Sequence, residues 1–174
     1  MCTVSLNRVM PGKEQLMSNV LRIDDVVDLG IQKEEARRDF YAKVAERFED
    51  AELNKLFSQL RDWEDAHVRK FSRIKESLHA APKVEAYPGE LEAYMQSLVD
   101  DRFYSEVSAE SFGEHVKTPV DAINYGIAFE KDAILFFMEM ARYVQSDNKD
   151  ILMTLMEEER SHVIHLIKMR RKYT

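Results

Sequence analysis

Two Glu-x-x-His pairs interrupt apolar stripes in this chain: Glu64 with His67 within "LNKLFSQLRDWEDAHVRKFSRIKESL", and Glu159 with His162 within "ILMTLMEEERSHVIHLIKM". On a helix, residues three and four apart share a face. Glu64 lies one turn after Leu60 and two before Phe71, with His67 a turn further on, so both side chains project from the face that Leu and Phe would bury. The second pair repeats this, with Leu152 and Leu155 before Glu159 and Leu166 after His162. Each pair also has a glutamate upstream on an apolar stripe. Glu34 shares a face with Val27, Ile31 and Tyr41, and Glu130 shares one with Ile123, Ile127, Ile134 and Phe137. The adjacent Glu35 and Glu158 fit these stripes less well.

One polar residue on a core stripe is ordinarily satisfied by a hydrogen bond or a partly wet seam. Several together change the balance. A buried charge carries a desolvation cost of several kcal/mol unless it is neutralised, and carboxylates brought to one level repel each other. Two divalent cations balance four carboxylates, and imidazole nitrogen with carboxylate oxygen suits iron or manganese. Glu34, Glu64, His67, Glu130, Glu159 and His162 are therefore candidate ligands for two iron ions, with manganese or zinc as alternatives.

Long helices must bring these groups together. From Asp24 or Asp25 to about Glu49, apolar residues recur at the spacing of one helical face, and Asp50 then offers a cap to the next helix. That second helix carries Leu53, Leu56, Leu60, Phe71, Ile74 and Leu78, and ends where "HAAPKVEAYPGE" supplies Pro82, Pro88 and Gly89. Residues 80–117 read as a crossover, with a short helical stretch in "ELEAYMQSLVDD" and a weaker one around "EVSAESFGEH". Thr118 as cap, Pro119 at the first helical position and Asp121 in the first turn start a third helix running to about Gln145. "SDNKD" reads as a turn before a fourth helix carrying Ile151, Leu152, Leu155, Val163, Leu166 and Met169. The expectation is an all-α chain: residues 1–22 as an N-terminal extension, and residues 23–174 as a four-helix bundle of two hairpins joined by the crossover.

The halves also resemble each other. "EEARRDFYAKVA" laid on "EKDAILFFMEMA" matches Glu34 with Glu130, and Phe40 and Tyr41 with Phe136 and Phe137. At about 1.5 Å rise per residue, Glu34 lies roughly 16 residues before the first turn and Glu64 roughly 14 after it, so they are level. Glu130 and Glu159 bracket the second turn likewise. The same test rejects a decoy. Glu76 and His79, with Glu46 upstream, repeat the bare spacing, but the hairpin would set Glu46 and Glu76 roughly 30 Å apart.

Composition narrows the partners. Within 174 residues there are only five Gly and four Pro, which favours helix in a single domain. A net charge of −7 disfavours nucleic acid and anionic membranes, and the basic tail Lys168–Lys172 suits a helix C-terminus. Cys2 alone permits no internal disulfide or CxxC site and fits a reducing cytoplasm. No apolar run approaches a membrane span, and the N-terminus lacks the order of a signal peptide.

At the doubled Glu and Glu-x-x-His motif, with its repeated aromatic pair, residues 24–170 resemble the ferritin-like di-iron carboxylate proteins, and among them the rubrerythrin group. The resemblance implies a ferritin-like four-helix bundle with a long crossover between helices 2 and 3. It implies that Glu64 and Glu159 bridge two irons, that Glu34 and Glu130 are terminal ligands, and that His67 and His162 each hold one metal. The implied activity is that of a non-haem di-iron oxidoreductase reducing hydrogen peroxide or dioxygen. Rubrerythrins carry a rubredoxin domain with paired CxxC motifs. This chain has none, so electrons must come from a separate electron-donor protein. Rubrerythrins also use an extra glutamate on the third helix, where this chain has Ile127 and Ala133 a turn either side of Glu130. Arg37 and Arg38 follow Glu34 where the third helix has Ala133 and Ile134, which brings one of them near the site, paired with a carboxylate or lining a way in.

Two other readings compete: an iron-binding or ferroxidase protein for iron handling, and a metal-free helical interaction module. An exposed apolar flank on such a bundle would make a homodimer. Trp63, Tyr41 and Tyr125 read as amphipathic core residues or as groups tuning the site, and Met138, Met140, Met153 and Met156 as core fillers. His165 stands one turn after His162, beside the site or on the surface, and His115 falls in the crossover without partners of the same chemistry.

Overall fold

The computed structural model describes residues 23–78, 94, 97, 111–142, 144 and 146–174. The N-terminal extension 1–22, His79 and most of the crossover lie outside them. Regular structure among the described residues is entirely helical: α1 (Ile23–Arg47), α2 (Ala51–Ser77), the short α3 (Phe112–His115), α4 (Pro119–Met140) and α5 (Ser146–Arg170).

The helix boundaries follow from local chemistry. The Asp50 carboxylate accepts the backbone N–H of Glu52 and of Leu53, both at 2.9 Å, and so caps α2. At the start of α4, Thr118 Oγ1 accepts the Asp121 N–H at 3.2 Å while the Asp121 carboxylate accepts the Thr118 N–H at 2.8 Å. This is a reciprocal capping box, with Pro119 at the first helical position. The second connection departs from expectation. Helix α4 stops at Met140, and α5 begins at Ser146, so "SDNKD" forms the first turn of α5 rather than a loop. That turn is polar and lacks a buried stripe, which hid it from periodicity, yet Asp147 there suits the positive end of the helix dipole.

Helix α1 packs along α2 and α4 along α5, and the two pairs meet through α1 with α4 and α2 with α5. Two apolar clusters fill the interior. One gathers Phe40, Val44, Leu53, Phe57, Leu60, Ile123, Phe129 and Leu166. The other gathers Val26, Val27, Phe71, Ile74, Phe136, Phe137, Leu152 and Leu155. Close approach is allowed by glycines one turn before each upstream glutamate. A Cβ on Gly30 would meet Phe71 of α2 at 3.1 Å and Phe136 of α4 at 3.3 Å. A Cβ on Gly126 would meet Leu166 of α5 at 3.1 Å and Tyr41 of α1 at 3.3 Å. The buried Lys33 adds an ion pair from α1 to Asp132 of α4.

The methionines divide. Met140 and Met156 are core residues, but Met138 is 53% exposed and Met153 51%, because one residue along a helix turns the side chain by about 100° away from a buried neighbour. With Leu135 and Ile164 they leave apolar surface on α4 and α5. The decoy pair Glu46 and Glu76 is exposed.

The capping box is open to test. Thr118→Ala should lower unfolding stability by about 1 kcal/mol in urea titration with an unchanged slope. An unaltered midpoint would mean that the box does not hold the start of α4.

Candidate metal centre

The six residues singled out in the sequence converge. Glu34, Glu64, His67 and Glu159 each offer one atom within 4.8 Å of the others, and Glu64, Glu130, Glu159 and His162 form a second group within the same limit. Each helix of the two pairs contributes: Glu34 from α1, Glu64 and His67 from α2, Glu130 from α4, Glu159 and His162 from α5. All six side chains are buried, between the two apolar clusters.

Glu64 and Glu159 belong to both groups and offer a different oxygen to each. On one side, His67 Nδ1 lies 3.5 Å from Glu34 Oε2, 3.6 Å from Glu64 Oε2 and 3.2 Å from Glu159 Oε1. On the other, His162 Nδ1 lies 3.5 Å from Glu64 Oε1, 3.5 Å from Glu130 Oε1 and 2.7 Å from Glu159 Oε2. Many of these atoms are close without being aligned as hydrogen bonds. Both imidazole Nδ1 atoms, both Glu34 oxygens, Glu64 Oε1, Glu130 Oε2 and Glu159 Oε2 are buried with no aligned hydrogen bond among the described residues, although Glu34 Oε1 has an ion pair with Arg37. Orphaned buried acceptors are rare and costly, and a cation between them satisfies several at once. The set therefore fits a metal ion.

Two neighbours reach into this layer from α1. Arg37 is fully buried. Its Nε donates to Glu64 Oε2 at 3.1 Å, one terminal nitrogen lies 3.4 Å from Glu159 Oε1, and the same nitrogen pairs with Glu34. Arg38 instead lies on the outside with Asp39 and Asp65, which settles which of the adjacent arginines enters. Tyr41 donates its hydroxyl to Glu130 Oε1 at 2.5 Å. Trp63 stacks on His162, ring centres 4.7 Å apart and planes within 3°. Tyr125 packs on Phe40 and Phe129, and the exposed His165 sets its ring against Trp63 and its Nδ1 against the Ser161 carbonyl.

Glu158 is the participant that periodicity missed. Its carboxylate meets His67 Nε2 at 2.8 Å and pairs with Lys70, so it fixes the ring that presents Nδ1 inward. It does so from the half-exposed edge of α5, off the buried stripe, where no apolar spacing marks it. Beside it, a surface cavity of about 270 Å³ is lined by Trp63, Ala66, His67, Lys70, Glu158, Ser161 and His162.

Burial and mutual repulsion set the protonation. Burial pushes the Glu34 carboxyl up to about 7, and burial with the charges of Glu159 and Glu64 pushes Glu130 well above the carboxylate range. Burial also opposes the charge on Glu64, but the Arg37 guanidinium and the two imidazoles outweigh it and hold that carboxyl well down. For Glu159, burial and the charge of Glu64 are outweighed by His67 and His162, leaving it at about 2. Burial disfavours the imidazolium forms too, yet the carboxylates around His67 hold it well above its ordinary value, and those around His162 carry it to about 12.

No family model matches the chain, and no curated protein or solved structure matches it. What fold and site define together is a set of described residues whose regular structure is all helical, with a buried carboxylate and imidazole layer that could hold a metal ion.

At neutral pH the layer holds protons on both imidazoles and on Glu130, and partly on Glu34, whereas metal ligands must be deprotonated. Loading with Mn(II) should therefore release protons, and affinity should rise with pH and weaken as pH falls. Calorimetry in two buffers of different ionisation enthalpy reads the release. Equal binding heats in both would contradict these protonation states.

Proposed function

We propose that the chain is a ferritin-like four-helix bundle with a long crossover, and that its buried layer is the di-iron centre of a rubrerythrin-like oxidoreductase. The observation that carries this reading is the pair of ligand groups sharing Glu64 and Glu159, each of which turns opposite oxygens to the two sides. In it Glu64 and Glu159, which belong to both groups, would serve both ions, Glu34 and Glu130 would each serve one, and His67 and His162 would each hold one. Two bound irons cycling between ferrous and ferric states would supply two electrons to hydrogen peroxide, which with two protons yields two waters, or would supply electrons to dioxygen.

The chain's own groups set the conditions for that chemistry. The apolar clusters on both sides keep bulk water from the carboxylates and so strengthen every charge interaction within the layer. Tyr41 holds Glu130 in place, and Glu158 does the same for His67. The cavity lined by His67 and His162 offers an opening for a small oxidant. The 174 residues hold no paired CxxC motif that would supply the electrons from within them. The exposed Leu135 and Met138, one turn apart on α4, support a homodimer built through that flank. No helix of the described residues is long and apolar enough to cross a membrane.

The measurement is anaerobic reconstitution with Fe(II), metal analysis, and then addition of peroxide. We expect about two irons per chain and about one peroxide consumed for each pair oxidised. Iron that binds but fails to oxidise with peroxide would leave iron handling as the role, and light scattering then separates a storage cage from a dimer.

One observation favours a metal-free module: Arg37, His67 and His162 already offer the carboxylates cationic partners. That reading predicts no metal in protein from iron-replete cells and lowered melting of the metal-free protein in Glu64→Gln and Glu159→Gln, because each loses a buried ion-pair partner. The di-iron reading predicts that both substitutions abolish iron binding.

A further inference from the structure

The two halves of the layer differ at one position. In the sequence register that matches Glu34 with Glu130, Arg37 corresponds to Ala133. Both are fully buried one turn after their glutamate. Beside Glu130 there is a methyl group, and beside Glu34 a guanidinium.

The guanidinium reaches the layer on the His67 side. It meets Glu64 Oε2 and Glu159 Oε1, the oxygens that face His67, and pairs with Glu34 through Oε1, the oxygen beside the one that faces His67. The other oxygens of Glu64 and Glu159, Oε1 and Oε2 respectively, face His162 with no guanidinium on them. The arginine is also anchored, with its central carbon 6.0 Å from the Phe137 ring centre. A carboxylate oxygen that accepts a charge-assisted hydrogen bond is a weaker donor to a metal until that bond is given up. A buried cation also repels a second cation brought to the same oxygens, in an interior where screening is weak.

Resting on the metal-binding reading of this layer, we propose that Arg37 makes the two ion positions unequal. The Glu130 and His162 position loads first and tightly, and the Glu34 and His67 position fills only when the guanidinium leaves the shared carboxylates. The chain then has a stable one-ion state in which Arg37 stands where the second ion would neutralise charge. Arg37 is in this sense a positioning residue that orders loading. It contacts the ligands and not the reacting molecule.

Anaerobic titration of the full chain with Co(II), followed by visible absorption and calorimetry, tests this. Wild type should bind in two steps whose affinities differ by about tenfold or more, given the strength of hydrogen bonds between ions in a buried site. Arg37→Leu should tighten the second step by about tenfold or more and bring the two together. His67→Ala should remove the weak step and keep the tight one, while His162→Ala should remove the tight one. Arg38→Leu, on the outer surface, should change nothing. Should Arg37→Leu fail to fold by circular dichroism, Arg37→Gln and the two histidine variants decide the matter. Two equal steps in wild type, a second step unmoved by Arg37 substitution, or loss of the tight step in His67→Ala would overturn the ordering and leave the two-metal reading intact. Absence of any Co(II) binding in both wild type and Arg37→Leu would overturn both.

Discussion

Four carboxylates buried at one depth are the constraint to which the rest of the structure answers. Glu34, Glu64, Glu130 and Glu159 lie between apolar clusters that offer no compensation, and their mutual repulsion grows as the surroundings become less polarisable. The protein meets this with three of its own cationic groups, Arg37, His67 and His162, and by letting Glu34 and Glu130 keep protons that an exposed carboxylate would lose. Positive charge thus arrives from side chains, from protons or from a metal, and these compete for the same oxygens. A metal bound here would have to displace the protons and side-chain cations already on those oxygens.

Local sequence serves this constraint at each step. Gly30 and Gly126 each stand one turn before the upstream glutamate of their half, and each lets a bulky side chain of a neighbouring helix approach where a methyl group would press on it. On one side the approaching groups are Phe71 and Phe136, on the other Leu166 and Tyr41. The second approach matters beyond packing, because it brings the Tyr41 hydroxyl to Glu130 across the interior. The aromatic position that is Phe137 in one half is Tyr41 in the other, and the position that is Ala133 is Arg37. The repeated scaffold fixes where the glutamates and histidines stand. The unrepeated residues decide what surrounds them.

Most of the site was legible because burial and periodicity speak about the same residues. Glu64, His67, Glu159 and His162 interrupt stripes that otherwise read as core, and counting residues from the turns set all four glutamates level. The structure brings all six together and leaves Glu46 and Glu76, with the same bare spacing, on the surface. Arg37 and Arg38 are adjacent and chemically alike, so only the orientation of α1 distinguishes the buried one. Glu158 escaped because it reaches His67 from off the stripe, and spacing along one helix carries no information about such a contact between two. The start of α5 escaped for a related reason: its first turn is polar, and periodicity detects only helix that buries one side. Met138 and Met153 show the converse, since a flexible apolar side chain identifies neither face without its neighbours.

Whether the layer is a salt-bridge network complete in itself or a cation site turns on how its atoms are aligned. A self-sufficient network of buried charges would be expected to spend its donors and acceptors on aligned hydrogen bonds, because each one left over costs the full desolvation of that atom. Tyr41 and Arg37 do make such bonds, to Glu130 and Glu64. The two Nδ1 atoms do not, although each has carboxylate oxygens from several helices within 3.6 Å. Glu158 occupies the outer nitrogen of His67 and leaves the inner one facing those oxygens, as a ring held for coordination would be arranged. Close approach without alignment is poor design for hydrogen bonds, whose strength falls steeply with angle. It is compatible with groups whose lone pairs would converge on a shared ion once the two imidazoles have given up their protons.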